Sequence, residues 1–213
     1  MSGGTYSLVC FALEEEAAPF RKIAAGQAGL SILVTGIGRK NAEAAVRDNL
    51  AGHAPDRVFT CGFAGGLNPA LVVGDVVFFT ENEPLRAQLA NAGARAATCF
   101  CAPRIAVTAA DKQELRRTTG ADAVEMESGA IQEVCRGRGI PCATVRAISD
   151  TADAALPLDF NQMAKADLSL DFGKLARALA RSPGRIGALL QLQRQCNIAA
   201  AALARTLAAV LAA

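Results

Sequence analysis

The 213-residue chain has no tryptophan, one tyrosine and one histidine, His53. With so few aromatics it offers little for stacking nucleobases. Lys+Arg 22 against Asp+Glu 20 leaves a net charge of +2 with no basic cluster, so the electrostatic footprint of a nucleic-acid partner is missing and none is expected. A lone histidine, with Cys99 and Cys101 too closely spaced for a zinc knuckle, gives no metal-ligand set, and no metal or organic cofactor is expected. The longest charge-free stretch, Val58–Gly74, is broken by Asn68-Pro69 and several glycines, which argues against a membrane span. The first residues lack the basic lead and long apolar run of a secretory signal. The seven cysteines, mostly inside apolar runs, read as reduced and buried thiols, so the expected location is the cytoplasm.

What is present is a series of apolar runs: Ser7–Leu13, Leu30–Thr35, Arg57–Cys61, Asp75–Thr80 and Cys142–Ile148. Runs without alternation fit strands buried on both faces, hence a mostly parallel sheet. Helical patterns lie between and after them, at Lys40–Leu50, Lys112–Thr118, Ser128–Arg136, Asp171–Ala180 and Arg185–Leu211. The expected architecture is one α/β domain over residues 1–213: three layers, α/β/α, around a mixed, mostly parallel twisted sheet, with C-terminal helices packed on it. The last helix carries Arg185, Arg194 and Arg205, which suits an amphipathic helix on the domain or on a second subunit.

Four stretches can carry chemistry. "VTGIGRKNAEAA" ends a strand in Gly36-Ile37-Gly38, but Asn41 replaces the third glycine of a dinucleotide-binding turn. "CGFAGGL", Cys61–Leu67, reads as a second glycine-rich turn, where small residues let a ligand approach the backbone. "FALEEEAAPF" places three acids at a helix start, as the helix dipole favours. "ADAVEMESGAIQEVC" sets Glu125, Met126 and Glu127 where an apolar lead passes into a helix. A carboxylate there is stabilised by free N–H groups and can accept hydrogen bonds from a diol such as a ribose, with Met126 offering a soft apolar face. Asp150 ends the buried run "TVRAISD", where desolvation would favour its protonated form and suit it to donate to a leaving group. Each stretch also has a plainer reading: a tight turn, a solvated acidic face, a helix cap.

Taken together and in order over roughly residues 5–155, these blocks resemble the nucleoside phosphorylase and methylthioadenosine/adenosylhomocysteine nucleosidase superfamily. The resemblance implies cleavage of a purine N-ribosidic bond, with adenine the expected base. It implies Asp150 as the group that protonates or hydrogen-bonds purine N7, with Ser149 beside it. Glu127 and Glu125 would sit at the ribose, Met126 against the sugar, and Ala64 and Gly65 under base and sugar. Glu16 matches the carboxylate that activates water in the hydrolytic branch. It also implies a homodimer or larger homo-oligomer, with inorganic phosphate as co-substrate if the enzyme is a phosphorylase. Two departures stand out. Phe63 replaces a small polar residue, so an aromatic is expected to reshape the floor near the ribose. The segment between Thr80 and Val124 is short, which should leave the 5′ side open. That segment and the tail "ARALARSPGRIGALLQLQRQC" are similar to the hopanoid-associated phosphorylases, thought to act on an adenosylated lipid. A different class, a non-catalytic nucleoside-binding protein, would show the same fold with a decayed site.

Overall fold

The computed structural model describes residues 5–52, 54–163, 173–174, 177 and 183–212. The helix expected at Asp171–Ala180 lies outside the described residues, apart from three of its positions. An eight-stranded sheet runs in the order β2 (Leu30–Val34), β1 (Ser7–Phe11), β3 (Arg57–Gly66), β8 (Cys142–Asp150), β4 (Val76–Phe79), β5 (Arg95–Ala96). Two further strands, β7 (Ala123–Glu125) and β6 (Cys99–Cys101), branch from the far end of β3. β2, β1, β3 and β8 are mutually parallel; β4 meets β8, and β7 meets β3, antiparallel. The sheet is mixed and mostly parallel, as the unalternated apolar runs imply.

β1 is buried along its whole length because helices cover both faces. On one face Phe11, Phe59 and Phe78 pack with α1 (Glu14–Ile23) and the C-terminal helix α7 (Ile186–Ala212) through Phe20, Leu203 and Leu207. On the other, Leu8, Cys10 and Val58 pack with α2 (Arg39–Gly52) and α5 (Ser128–Arg136) through Val46, Leu50, Ile131 and Val134. Helix α7 is long and apolar enough to cross a bilayer, but Ala199, Leu203, Leu207 and Val210 are buried in the protein core. Helices α3 (Glu83–Asn91), α4 (Ala109–Thr119) and the single turn α6 (Phe160–Met163) complete the described elements up to the 3₁₀ turn before α7.

Two local features position the site. Cys61–Leu67 is not a turn: β3 continues through it to Gly66. Pairing to β8 holds Gly62 and Gly65 in the strand and pairing to β7 holds Gly65 and Gly66, and their missing side chains leave room for charged groups from elsewhere. The second feature is a register shift. Ala64 faces Ile148 but Gly65 faces Asp150, so Ser149 is the extra residue of a β-bulge. Bulges re-aim side chains at the ends of strands, and here the bulge delivers Ser149 and Asp150 together.

Candidate active site

The carboxyl ends of β1, β3 and β8 and the start of α5 converge on Arg146, a fully buried arginine in the middle of β8. Its Nη2 donates to Glu125 Oε2 at 2.6 Å and to Thr60 Oγ1 at 3.2 Å, and its Nη1 lies 3.7 Å from Glu127 Oε2. Glu125 also accepts from the N–H of Glu127 (2.9 Å) and of Ser128 (2.8 Å) and from the Ser128 hydroxyl (2.6 Å). Burial works against its charge, but Arg146 and the Ser128 donors outweigh it and hold the carboxyl below its ordinary range. Both of its oxygens thus accept from the protein's own donors. It anchors Arg146 and the first turn of α5, and its neighbour Glu127 is the residue left to face the site.

Glu127 takes the Gly38 N–H on Oε1 at 2.8 Å. The Gly36-Ile37-Gly38 turn, with φ of +81° and +87° at its glycines, therefore presents an N–H to the protein's own carboxylate. Burial raises Glu127 against the lowering pull of Arg146 and the Gly38 N–H, and the charge of Glu125 adds to the rise. Met126 is half-buried beside it.

Glu16, third of the acid run, turns inward while Glu14 and Glu15 stay exposed. It accepts from Ala12 and Leu13 N–H at 3.0 Å each and from Phe63 N–H at 2.8 Å. The first two clamp it over its own helix start, and the third ties it to β3. Burial pushes its carboxyl up to about 7, against the lowering pull of the Phe63 N–H and Arg146; the charge of Glu127 adds to the rise. Three carboxylates share one guanidinium, and one that ionises near neutral pH, as Glu16 does, has the property wanted of a general base. Phe63 itself contributes its N–H, while its ring packs against the core of Phe11, Phe20 and Leu203. The aromatic is accommodated there by the α1 and α7 side of the sheet.

On the other side of the site, Asp150 Oδ1 accepts from Ser149 Oγ at 2.7 Å. Its Oδ2 is paired with Lys112 Nζ, whose side chain is wholly buried. The sequence pointed to burial alone as the influence on Asp150; the structure adds a buried cation. Gly65 lies beneath this pair: a Cβ placed there would stand 3.3 Å from Asp150 Oδ2 and 3.7 Å from Lys112 Cε. Ala64 is buried, and its carbonyl receives a long bond from Ser149 Oγ at 3.4 Å. Cys196 of α7 feels the charges of both halves. Burial, then the charges of Asp150 and Glu16, push its thiol up to about 11.

The structure thus brings Glu16, Glu127, Asp150, Ser149, Ala64, Gly65 and Met126 to one end of the sheet and assigns Glu125 to support. Sequence reasoning missed Arg146, Lys112 and Cys196. Arg146 had a readable signal, an arginine inside an otherwise apolar buried run. Lys112 was hidden in a charged helix that looked solvated.

The model of the phosphorylase superfamily matches residues 12–94 and 82–181. The chain belongs to the phosphorylase superfamily. Among curated relatives of this superfamily member, a 5′-methylthioadenosine/S-adenosylhomocysteine nucleosidase of Actinobacillus succinogenes is 31% identical over 165 residues, covering 62% of this chain and 72% of that protein. One from Shewanella sediminis is 28% identical over 176 residues, covering 65% and 76%. Among solved structures, the Neisseria meningitidis nucleosidase of the same name, in complex with methylthio-immucillin-A, superposes with a TM-score of 0.74 at 21% identity over 97% of this chain and 98% of that one. Futalosine hydrolase of Helicobacter pylori gives 0.73 at 16% identity over 98% and 97%. These superpositions show the fold of the described residues.

Proposed function

We propose that this superfamily member hydrolyses the N-ribosidic bond of a purine nucleoside, with adenine the favoured base. The observation that carries the reading is Glu16: a buried carboxylate raised to about 7, held by three backbone N–H groups beside Arg146 and Glu127. Water attacks C1′ of the ribose, the C1′–N9 bond breaks with its electron pair passing into the purine, and the water's proton goes to Glu16. A proton reaching N7 from the Asp150 side makes the purine a better leaving group. Glu127 accepts from ribose hydroxyls and offers negative charge near the developing ribosyl cation, an interaction that strengthens as charge builds.

Water is favoured over phosphate by where the cations lie. A phosphate dianion needs positive donors near C1′ and no ionised carboxylate there. Arg146 is already committed to Glu125 and Glu127. Arg39 pairs with Glu133 at 2.6 Å on the surface, Lys40 is exposed, and Arg104 lines a separate cleft with Asp111 and Asp159. The curated relatives named above are nucleosidases, which supports the same choice.

The test is free-base release from adenosine, methylthioadenosine, adenosylhomocysteine, inosine and an adenosine with a long 5′-alkyl group. Each is run with and without phosphate, with Asp150→Ala as control. Release from adenine nucleosides without phosphate is expected. Release that requires phosphate would make this a phosphorylase, and binding without release would make it a nucleoside-binding protein.

A further inference from the structure

Lys112 breaks two local rules. It is wholly buried although lysine almost never is. It also sits in the first turn of α4, four residues after the Thr108 N-cap, where the helix dipole disfavours a cation. The helix would form as well without it, because Thr108 and Asp111 already cap each other: Asp111 N–H to Thr108 Oγ1 at 3.0 Å and Thr108 N–H to Asp111 Oδ2 at 2.9 Å. Local choices that oppose the fold's own preferences gather at functional positions.

The partners of Lys112 say what it is for. Its Nζ donates to Asp150 Oδ2, to Thr151 O at 2.7 Å and to Ala154 O at 2.9 Å. An ammonium has three N–H groups, and all three are used. Lys112 therefore has no donor left for a ligand and acts through Asp150. The two carbonyls come from the turn that follows β8, so the ammonium also fixes that turn relative to the carboxylate. Ser149 Oγ holds the other oxygen, and Asp150 is clamped from both sides.

We infer that Lys112 is the positioning residue for departure of the base: it orients Asp150 and supplies, through it, the proton that the purine takes at N7. This rests on the nucleosidase reading above. As C1′–N9 breaks, the electron pair enters the purine. A single proton moves in relay: it passes from Nζ to the Asp150 carboxylate, and the carboxyl group then gives that proton to N7. Lys112 ends as a neutral amine, Asp150 is again a carboxylate, and the purine leaves neutral. The proton that water gave to Glu16 balances the one lost from Lys112, and exchange with solvent resets both.

Among the described residues, the titratable groups that feel the Lys112–Asp150 pair are Asp153 in the next turn, which feels the Lys112 charge, and Cys196 on α7, which feels Asp150. Gly65 and Val124, from β3 and β7, close the neutral side. No second cation is among these facing groups to replace Lys112.

The experiment compares Lys112→Met and Lys112→Ala with wild type on two substrates between pH 5.5 and 8.5. One is an adenine nucleoside that the wild type cleaves. The other is 4-nitrophenyl riboside, whose leaving group departs without a proton. Without Lys112 the proton must be taken from solvent onto Asp150 itself. The variant-to-wild-type ratio of kcat on the nucleoside should therefore fall as pH rises, reaching a loss of about 100-fold at the alkaline end. The ratio on nitrophenyl riboside should stay near one, which also shows that the variants are folded. Ethylamine added to Lys112→Ala should restore nucleoside cleavage in proportion to its concentration. A ratio independent of pH, equal losses on both substrates in both variants, or no amine rescue overturns the inference. Wild-type protein that cleaves neither riboside would remove the nucleosidase reading instead.

Discussion

Gly62 is where the account can be broken with one methyl group. It lies in the middle of β3 with φ of +152°, and a Cβ there would stand 2.6 Å from Arg146 Nη1, 2.8 Å from Glu16 Oε1 and 3.0 Å from Glu16 Oε2. None of these atoms can yield cheaply. The guanidinium is fixed by Glu125 and Thr60, and the carboxylate by three backbone N–H groups. Gly62→Ala should cost about 1–3 kcal/mol for the backbone conformation. Loosening a charged hydrogen bond at Glu16 or Arg146 adds about 1.5–3 kcal/mol. The sum, about 2.5–6 kcal/mol, is a large share of a typical domain's stability of about 5–15 kcal/mol. The control is Gly93→Ala, at φ +85° with nothing within 4 Å of the new Cβ. It should cost only the backbone share, about 1–2 kcal/mol. Urea denaturation followed by circular dichroism measures both, and base release at a temperature where both variants are folded measures activity. Gly62→Ala should lose activity far beyond its stability loss, because it displaces Glu16; Gly93→Ala should retain activity. A Gly62→Ala protein as stable and active as Gly93→Ala would refute the packing of guanidinium and carboxylate over this residue.

Glu16 also sets a pH dependence. The folded protein keeps its proton to about 7 while the unfolded chain releases it near 4.5, so the folded state binds more protons between those values and stability falls as pH rises through them. The loss is about 3 kcal/mol, and Glu16→Gln, which cannot titrate, should lack that slope in denaturant titrations at a series of pH values. Hydrolysis needs the ionised form, so kcat/KM should rise with pH about an apparent value near 7 and the rise should vanish in the same variant. Arg146→Met should destabilise by about 3–5 kcal/mol, because it leaves Glu125 buried and unpaired; joint replacement with Glu125→Met should recover much of that in thermal melts. Glu127→Gln should lower kcat/KM about 10–100-fold for ribosides, by loss of a charge-assisted acceptor worth about 1.5–3 kcal/mol. The penalty should shrink for a 2′,3′-dideoxynucleoside, which has no hydroxyls to offer.

Much of this was readable from residue order. The unalternated runs at Ser7–Leu13 and Cys142–Ile148 gave the buried parallel strands, and the Val-Glu-Met-Glu block marked the strand-to-helix passage that carries Glu127. Glycine misled at Cys61–Leu67: three glycines suggest a turn, yet pairing to β8 or β7 keeps each of them in a strand. The short strands β5 and β6, of two and three residues, are defined by their neighbours and leave no periodic trace. Glu125 and Glu127 are equivalent in sequence. Only the position of Arg146, across the sheet, makes the first a support and leaves the second to face the site. Lys112 was illegible for the same reason: its partner is 38 positions away, and its helix otherwise has the composition of an exposed surface.

In the proposed reaction water, activated by Glu16, receives the ribosyl group. The direct measurement is the identity of the sugar released from an adenine nucleoside in phosphate buffer, followed by proton and phosphorus NMR, for wild type and Glu16→Gln. The account predicts the free reducing sugar from wild type, at the same rate whether or not phosphate is present, and a loss of about 100-fold or more in Glu16→Gln. A sugar 1-phosphate as product, or a Glu16→Gln enzyme that keeps its rate, would contradict it.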